Sequence, residues 1–253
     1  MHPPIRWTRT FVASLLRERG FRPRRSLGQN FLVDGNFLEA LVRDAGVEPG
    51  DVVVEIGSGI GNLTDRLAAR AGRVWAFEID PALHALAQEL LAGRENITWI
   101  LGDGLEFSRR LPEDPARPIR VVANLPYASW RRLLLGVLSC PRELLSCTVM
   151  LPRDVVARLR ARPGTREYGP MAVLLQGACT MRVGRRAGKE LFYPVPRVDS
   201  AVVEVRRRER LDFLGAERRL RAFFAGRRKR SPAAGGRRVE DLAPAELLDL
   251  ARS

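Results

Sequence analysis

The sequence predicts an α/β fold, a parallel sheet covered by helices on both faces. Two patterns and one number carry this expectation. Short apolar, β-branched runs alternate with longer amphipathic segments along the first three-fifths of the chain, the signature of strand–helix–strand units. A glycine-rich stretch, "EIGSGIGNLT", stands between the first such run and the amphipathic segment after it. The chain is 253 residues long and 45% hydrophobic, enough for one sizeable core and a small appended unit.

"TRTFVASLLRERG" predicts a leading helix, and "NFLEALVRDAGV" a second that ends at Gly46 as a helix C-cap. "DVVVEIG" is bounded by Gly50 and Gly57 and apolar nearly throughout, which fits a strand buried on both faces. There follow a helix in "NLTDRLAARAG", a strand in "RVWAFEID", a helix in "PALHALAQELLAG" and a strand in "ITWILGD". After a loop come the strand "IRVVANL", a helix from about Trp130 to Leu138 and the strand "SCTVMLP". Ligands of open parallel sheets bind beyond the carboxyl ends of the strands, and the notable polar residues fall there.

Composition excludes several classes of function. Lys and Arg number 43 against 29 Asp and Glu, a formal charge of +14, and nearly all the excess is Arg. A polyanion is the first partner to consider, although codon bias in a GC-rich genome also raises Arg. Cys140, Cys147 and Cys179 are odd in number and lack CxxC spacing, so neither a disulfide framework nor a zinc site is expected, and a reducing cytoplasm is. No apolar run reaches the length of a membrane span, and Arg6, Arg9, Arg17 and Glu18 interrupt the N-terminus too often for a signal peptide. The histidines are His2 and His84, the second inside a predicted helix, so the chemistry must proceed without a histidine base. Nothing demands more than a monomer.

Gly57, Gly59 and Gly61 let the backbone turn tightly after the first strand and approach a ligand closely. Their GxGxG spacing departs from the GxGxxG of pyrophosphate-binding loops. Glu78 ends the second strand, where a carboxylate accepts ribose hydroxyls, and Asp103 ends the third, placed to meet an adenine amine. Acids at strand ends also cap the turn that follows. Taken in order, the three features suit a ligand with ribose, adenine and a positive centre, and S-adenosylmethionine is such a molecule.

The fourth strand ends in "NLPY", Asn124 to Tyr127. An adenine amine is a poor nucleophile because its lone pair is spread into the ring. Two acceptors aimed at its hydrogens localise that pair, and the Asn124 side-chain oxygen and the Leu125 carbonyl are the candidates. Pro126 fixes the turn without offering a competing N–H, and Tyr127 offers a ring for the base to stack on.

These stretches resemble the ribosomal RNA adenine dimethyltransferases, the KsgA type together with the related macrolide-resistance methyltransferases. The likeness runs from about Phe21 to Val205 and rests on "SLGQNFLVD", "EIGSGIGNLT", "FEID", "GDGLEF", "NLPY", "PGTREYGPMAVLLQ" and "LFYPVPRVDSAVV", in the family's order. It implies a Rossmann-like class I methyltransferase sheet and a small C-terminal helical domain that helps dock RNA. It also implies that Asn30 and Leu32 touch the cofactor S-adenosylmethionine along with Gly57, Gly59, Glu78, Asp103 and Asn124. Phe192 is implied to face the target adenine opposite Tyr127, which alone would read as a core residue. The expected division is a methyltransferase domain over 1–205 and a shortened basic helical domain over 206–253.

The chain departs from the pattern in places. Ala128, Ser129 and Trp130 follow "NLPY" where the family usually has Asn-Ile-Ser, and Pro152 stands where it commonly has Gln. "RRAGK", "VRRRER" and "AGRRKR" concentrate positive charge late in the chain, which predicts salt-sensitive RNA binding if it is not simply a solvated face. The expected activity is methyl transfer to adenine amines of small-subunit ribosomal RNA, twice per base. The alternatives are a resistance-type methylase of large-subunit RNA, an assembly factor on the same fold, and a DNA amine methylase. A ring-carbon methylase would need a Cys in the catalytic loop, and Asn124–Tyr127 has none.

Overall fold

The computed structural model describes residues 5–24, 28–111, 118–226 and 235–252. Ser26 and Leu27 of "SLGQNFLVD" and residues 227–234 of the late basic stretch lie outside them. Helix α1 (Arg9–Glu18) starts where the Thr8 hydroxyl accepts a hydrogen bond from Phe11 N, and it buries Val12, Leu15 and Leu16. A short strand β1 (Phe31–Leu32) leads to α2 (Gly35–Asp44), capped by the Asp34 carboxylate 2.7 Å from Phe37 N. The helix stops where predicted, because Gly46 takes φ +65°, a conformation costly for other residues.

The predicted alternation then unfolds in order. Strand β2 (Val52–Ile56), helix α3 (Asn62–Ala68), strand β3 (Arg73–Glu78), helix α4 (Pro81–Leu90) and strand β4 (Ile97–Leu101) precede the single turn α5 (Phe107–Arg110). Strand β5 (Ile119–Asn124), helix α6 (Trp130–Leu138) and strand β6 (Leu144–Pro152) complete the expected set. Beyond it come α7 (Arg153–Leu159), α8 (Pro170–Ala178), β7 (Cys179–Ala187), β8 (Phe192–Tyr193), β9 (Ser200–Arg207), α9 (Phe213–Ala225) and α10 (Pro244–Arg252).

The main sheet has seven strands in the order β4-β3-β2-β5-β6-β9-β7. It is parallel from β4 to β6, and there the expectation of a parallel sheet stops: β9 pairs antiparallel with both β6 and β7. The reason is the connection. Helices α7 and α8 carry the chain back so that β7 runs like β6, whereas β7 reaches β9 without a crossover helix and so must reverse. A second, two-stranded sheet pairs β1 with β8, Phe31 opposite Tyr193 and Leu32 opposite Phe192.

Alternate strand residues feed opposite layers, as the pleat requires. Val54, Ile56, Val121 and Ala123 pack toward α6, α8, α9 and α10, whereas Val53, Val74 and Val122 pack toward α1, α2 and α3. Position 205, the expected domain boundary, falls inside β9, and Phe213, Leu220, Leu247 and Leu248 of the last helices share the first of these cores. No helix among the described residues is long and apolar enough to cross a membrane, and none of their His, Cys, Asp or Glu side chains form a group able to hold a metal ion.

Candidate functional site

The glycine loop follows β2. Gly57, Gly59 and Gly61 have φ of +78°, +58° and +83°, and a side chain at Gly59 would bring its Cβ within 3.0 Å of the Phe31 ring. Glu78, at the end of β3, holds this loop from beneath. Its Oε2 accepts from Gly59 N at 2.7 Å and its Oε1 from Asp80 N at 2.9 Å. Burial raises its pKa, opposed by these backbone donors. Asp103, at the end of β4, uses Oδ1 to cap the following turn at Leu105 N, 2.9 Å away. Both acids therefore cap or brace the backbone, and each keeps lone pairs for a ligand.

Two clefts meet over these strand ends. The first, about 650 Å³, is lined by Asn30, Leu32, Gly57, Gly59, Glu78 and Asn124 among others, and the second, about 810 Å³, by Asp103, Leu105 and Ala128. Gly57, Ile79 and Pro126 line both, so the clefts adjoin as one elongated trough. In a protein of charge +14 the described residues of the first cleft's wall include no Lys, Arg or His but include Glu55 and Glu78. Such a wall tolerates a positively charged ligand and offers a phosphate chain no cationic partner. The Ser58 hydroxyl is buried beside it without a hydrogen-bond partner among the described residues, and Ile79 offers an apolar side chain that is 57% exposed. A long ligand with a flat apolar part, polar ends and a positive charge fits these features, as S-adenosylmethionine would.

The catalytic loop of the sequence reading is held by a strap from the N-terminal side. Asn124 Nδ2 donates to the Asn30 carbonyl at 2.9 Å, which sets the amide so that Oδ1 is left to accept. Among the described residues nothing donates to the carbonyl of Leu125, whose side chain is buried. Gly28, at φ +67°, lies directly on this loop: a Cβ there would sit 3.0 Å from Pro126 Cα, Pro126 Cβ and Tyr127 N. Gln29 Nε2 ties the same strap to Asp80 at 3.1 Å. Tyr127 is half-buried, its hydroxyl 2.6 Å from Ser200 Oγ, and burial raises its pKa.

Phe192 is placed differently from what the resemblance implied. Its ring is 0% exposed and belongs to the core beneath β1, with Phe31, Leu32, Met150 and Val202. Antiparallel pairing with β1 turns it into that core, so in this structure it presents no face to a base and Tyr127 is the half-open ring of the pair. The basic stretches also divide. Arg207 of "VRRRER" donates to the carbonyls of Leu138, Cys140 and Arg142, which makes it a brace between strands and helix. Arg206 and Arg182 share Glu204, and Arg185 pairs with Asp44.

Four residues of the site escaped the sequence reading. Gly28 and Gln29 stand in the quoted "SLGQNFLVD", but only the fold shows what they touch. Ile79 follows a strand-end acid and looks like ordinary apolar filling. Glu55 had a signal: it is an acid within a strand expected to be buried on both faces. Burial pushes its pKa up to about 8, and Glu78 adds to this, against the hydrogen bond from Thr64 Oγ1 at 2.5 Å.

Known proteins resemble this chain over most of its length. The family model described as ribosomal RNA adenine dimethylase matches residues 20–229. The curated protein "Ribosomal RNA small subunit methyltransferase A" of Moorella thermoacetica is 42% identical over 205 residues, which is 78% of this chain and 71% of that one. Among solved structures, a dimethyladenosine transferase from Plasmodium falciparum superposes with a TM-score of 0.71 at 20% identity, over 85% of this chain and 94% of that one. The 23S rRNA methyltransferase ErmE gives 0.63 at 28% identity, over 88% and 98%. The match covers the strap, the glycine loop, both strand-end acids and the Asn124 turn in one continuous span, and on it the chain belongs to the ribosomal RNA adenine dimethylase family.

Proposed function

We propose that this protein methylates the exocyclic amine of adenines in small-subunit ribosomal RNA, twice per base, as a monomer in the cytoplasm. Its relatives named as small-subunit methyltransferases support the choice of subunit, and the buried free thiols of Cys140, Cys147 and Cys179 accord with a reducing compartment. Asn30, Leu32, Gly57, Gly59, Glu78, Asp103 and Asn124 would hold S-adenosylmethionine, which when bound supplies an electrophilic methyl group on a sulfonium. Glu78 and Asp103 keep acceptor lone pairs for ribose hydroxyls and the adenine amine. The described wall of that cleft carries no Lys, Arg or His to oppose the positive charge.

The observation that carries the reading is the pair of acceptors beside that cleft. The Asn30 carbonyl occupies the Asn124 amide nitrogen, so Asn124 Oδ1 and the Leu125 carbonyl remain to accept the two hydrogens of a target amine. Holding them localises the nitrogen lone pair toward the methyl group, and Tyr127 supports the base. Positioning of this kind contributes up to roughly 7–11 kcal/mol, and no side-chain base is required before attack. The segment from 206 onward is the proposed RNA-docking unit.

The test is transfer of a tritiated methyl group to separated, undermodified ribosomal subunits, followed by mapping of the modified base. Asn124→Ala is expected to lose activity while RNA and cofactor still bind. Labelling of the large subunit alone would reassign the substrate, and full activity in Asn124→Ala would overturn the mechanism.

A further inference from the structure

The helix that begins at the catalytic loop also walls a third hollow, of about 630 Å³, outside the cofactor trough and lined by Trp130, Arg131, Arg158, Met171, Glu217 and Arg221 among others. Trp130 is the first residue of α6, three places beyond Tyr127. Helix α8 ends where β7 begins, and β7 runs parallel to β6, so Pro170 at its start lies at the same carboxyl end of the sheet as the Asn124 turn. The hollow is thus continuous with the face on which a target base must arrive.

Its chemistry is that of a nucleotide. Glu217 is 8% exposed and lies 3.8 Å from Arg131 and 3.9 Å from Arg221, beyond hydrogen-bond distance. Each is ion-paired with Glu217 at that distance, but neither guanidinium donates a hydrogen bond to any described residue, so N–H donors of both remain for an outside anion, while Arg158 is engaged by Asp154. Trp130 and Met171, both partly buried, supply the apolar floor. An aromatic ring beside two arginines sharing one carboxylate suits a stacked base with its phosphate.

We propose that this hollow binds a nucleotide of the ribosomal RNA flanking the target adenine, with Trp130 against the base and Arg131 and Arg221 on its phosphate. The proposal rests on the RNA-methylating function above and adds a second anchoring point for that substrate. It gives Trp130, which replaces the family's usual Ser, a role in choosing and holding RNA rather than in methyl transfer.

The test compares the full chain with Trp130→Ala, Trp130→Phe and Arg131→Ala/Arg221→Ala on a protein-free small-subunit RNA fragment, with affinity read by fluorescence anisotropy and turnover by methyl transfer. Trp130→Ala is expected to raise the RNA Kd and KM about tenfold. The double arginine variant is expected to weaken binding and to flatten its dependence on salt. In both, kcat at saturating RNA and the S-adenosylmethionine Kd stay at wild-type values, and Trp130→Phe recovers most of the affinity. RNA affinity unchanged in Trp130→Ala and in the double variant overturns the proposal. If Trp130→Ala also melts early or loses cofactor, the double variant decides, its folding checked by Tm and combined with Glu217→Gln so that no buried carboxylate is left without its ion-pair partners. Defects seen on whole particles but not on the fragment would assign the hollow to a protein partner and equally overturn it. A wild-type chain that methylates no RNA would refute the proposed function instead, and anisotropy would still judge the hollow.

Discussion

Gly28 is the residue on which the strap and the catalytic loop meet, and Gly28→Ala perturbs that meeting. At φ +67°, an alanine costs about 1–2 kcal/mol in backbone strain. The new methyl would also stand 3.0 Å from Pro126 Cα, Pro126 Cβ and Tyr127 N, where ordinary contacts lie at about 3.5–4.0 Å. Two of those atoms are backbone, so the loop itself must retreat by roughly 0.5–1 Å to restore contact distance. Misplacement on that scale costs up to about 100-fold in rate. We therefore expect kcat for methyl transfer to fall roughly 10–100-fold, with a loss of about 1–3 kcal/mol in stability, or several degrees in Tm for a chain of this size. The RNA Kd should change little. Gly35→Ala is the control, because Gly35 has nothing within 4 Å and an ordinary φ. Steady-state methylation of undermodified subunits, with thermal unfolding of both variants, measures the effect. A Gly28→Ala protein with the wild-type kcat and Tm would show that the strap does not position the Asn124 turn.

Other perturbations probe the trough. Glu55 has a folded pKa of about 8 against an ordinary 4.5, so the folded state holds a proton that the unfolded state releases between those values. Stability contributed by that proton is present at acid pH and is lost as pH rises through about 8, by a few kcal/mol at most. Glu55→Gln should flatten this slope in denaturant titrations at pH 5, 7 and 9, and an unaltered slope would place the pH dependence elsewhere. Ile79→Ser should leave Tm near wild type, because the side chain is 57% exposed. The same change should weaken S-adenosylmethionine binding about 5–30-fold by calorimetry, for roughly 1–2 kcal/mol of lost apolar contact. Unchanged affinity would remove Ile79 from the ligand's path.

The elements most legible in the sequence were those whose pattern is local. Strands β2 to β5 and helix α6 lie where apolar runs, glycines and caps place them, because burial on a two-sided sheet and the conformation of Gly46 leave marks within a few residues. The antiparallel reversal at β9 left no such mark, since strand direction follows from what connects β7 to β9 and not from either strand. The same division runs through the site. Glu78, Asp103 and the Asn124 turn are visible as polar residues at strand ends, whereas the burial of Phe192 depends on β8 pairing with a strand some 160 residues earlier.

An α/β chain with a glycine loop, strand-end acids and an amide-proline-aromatic turn is thus readable residue by residue, because each is written in neighbouring positions. It took the packed fold to show that Gly28 presses on Pro126, that the Asn30 carbonyl orients the Asn124 amide, and that the described wall of the cofactor cleft in a strongly basic chain has Glu55 and Glu78 and no cation. The physical reason is common to all three. Contacts between segments far apart in the chain are set by how the layers pack, and no local propensity encodes which distant group a side chain will meet.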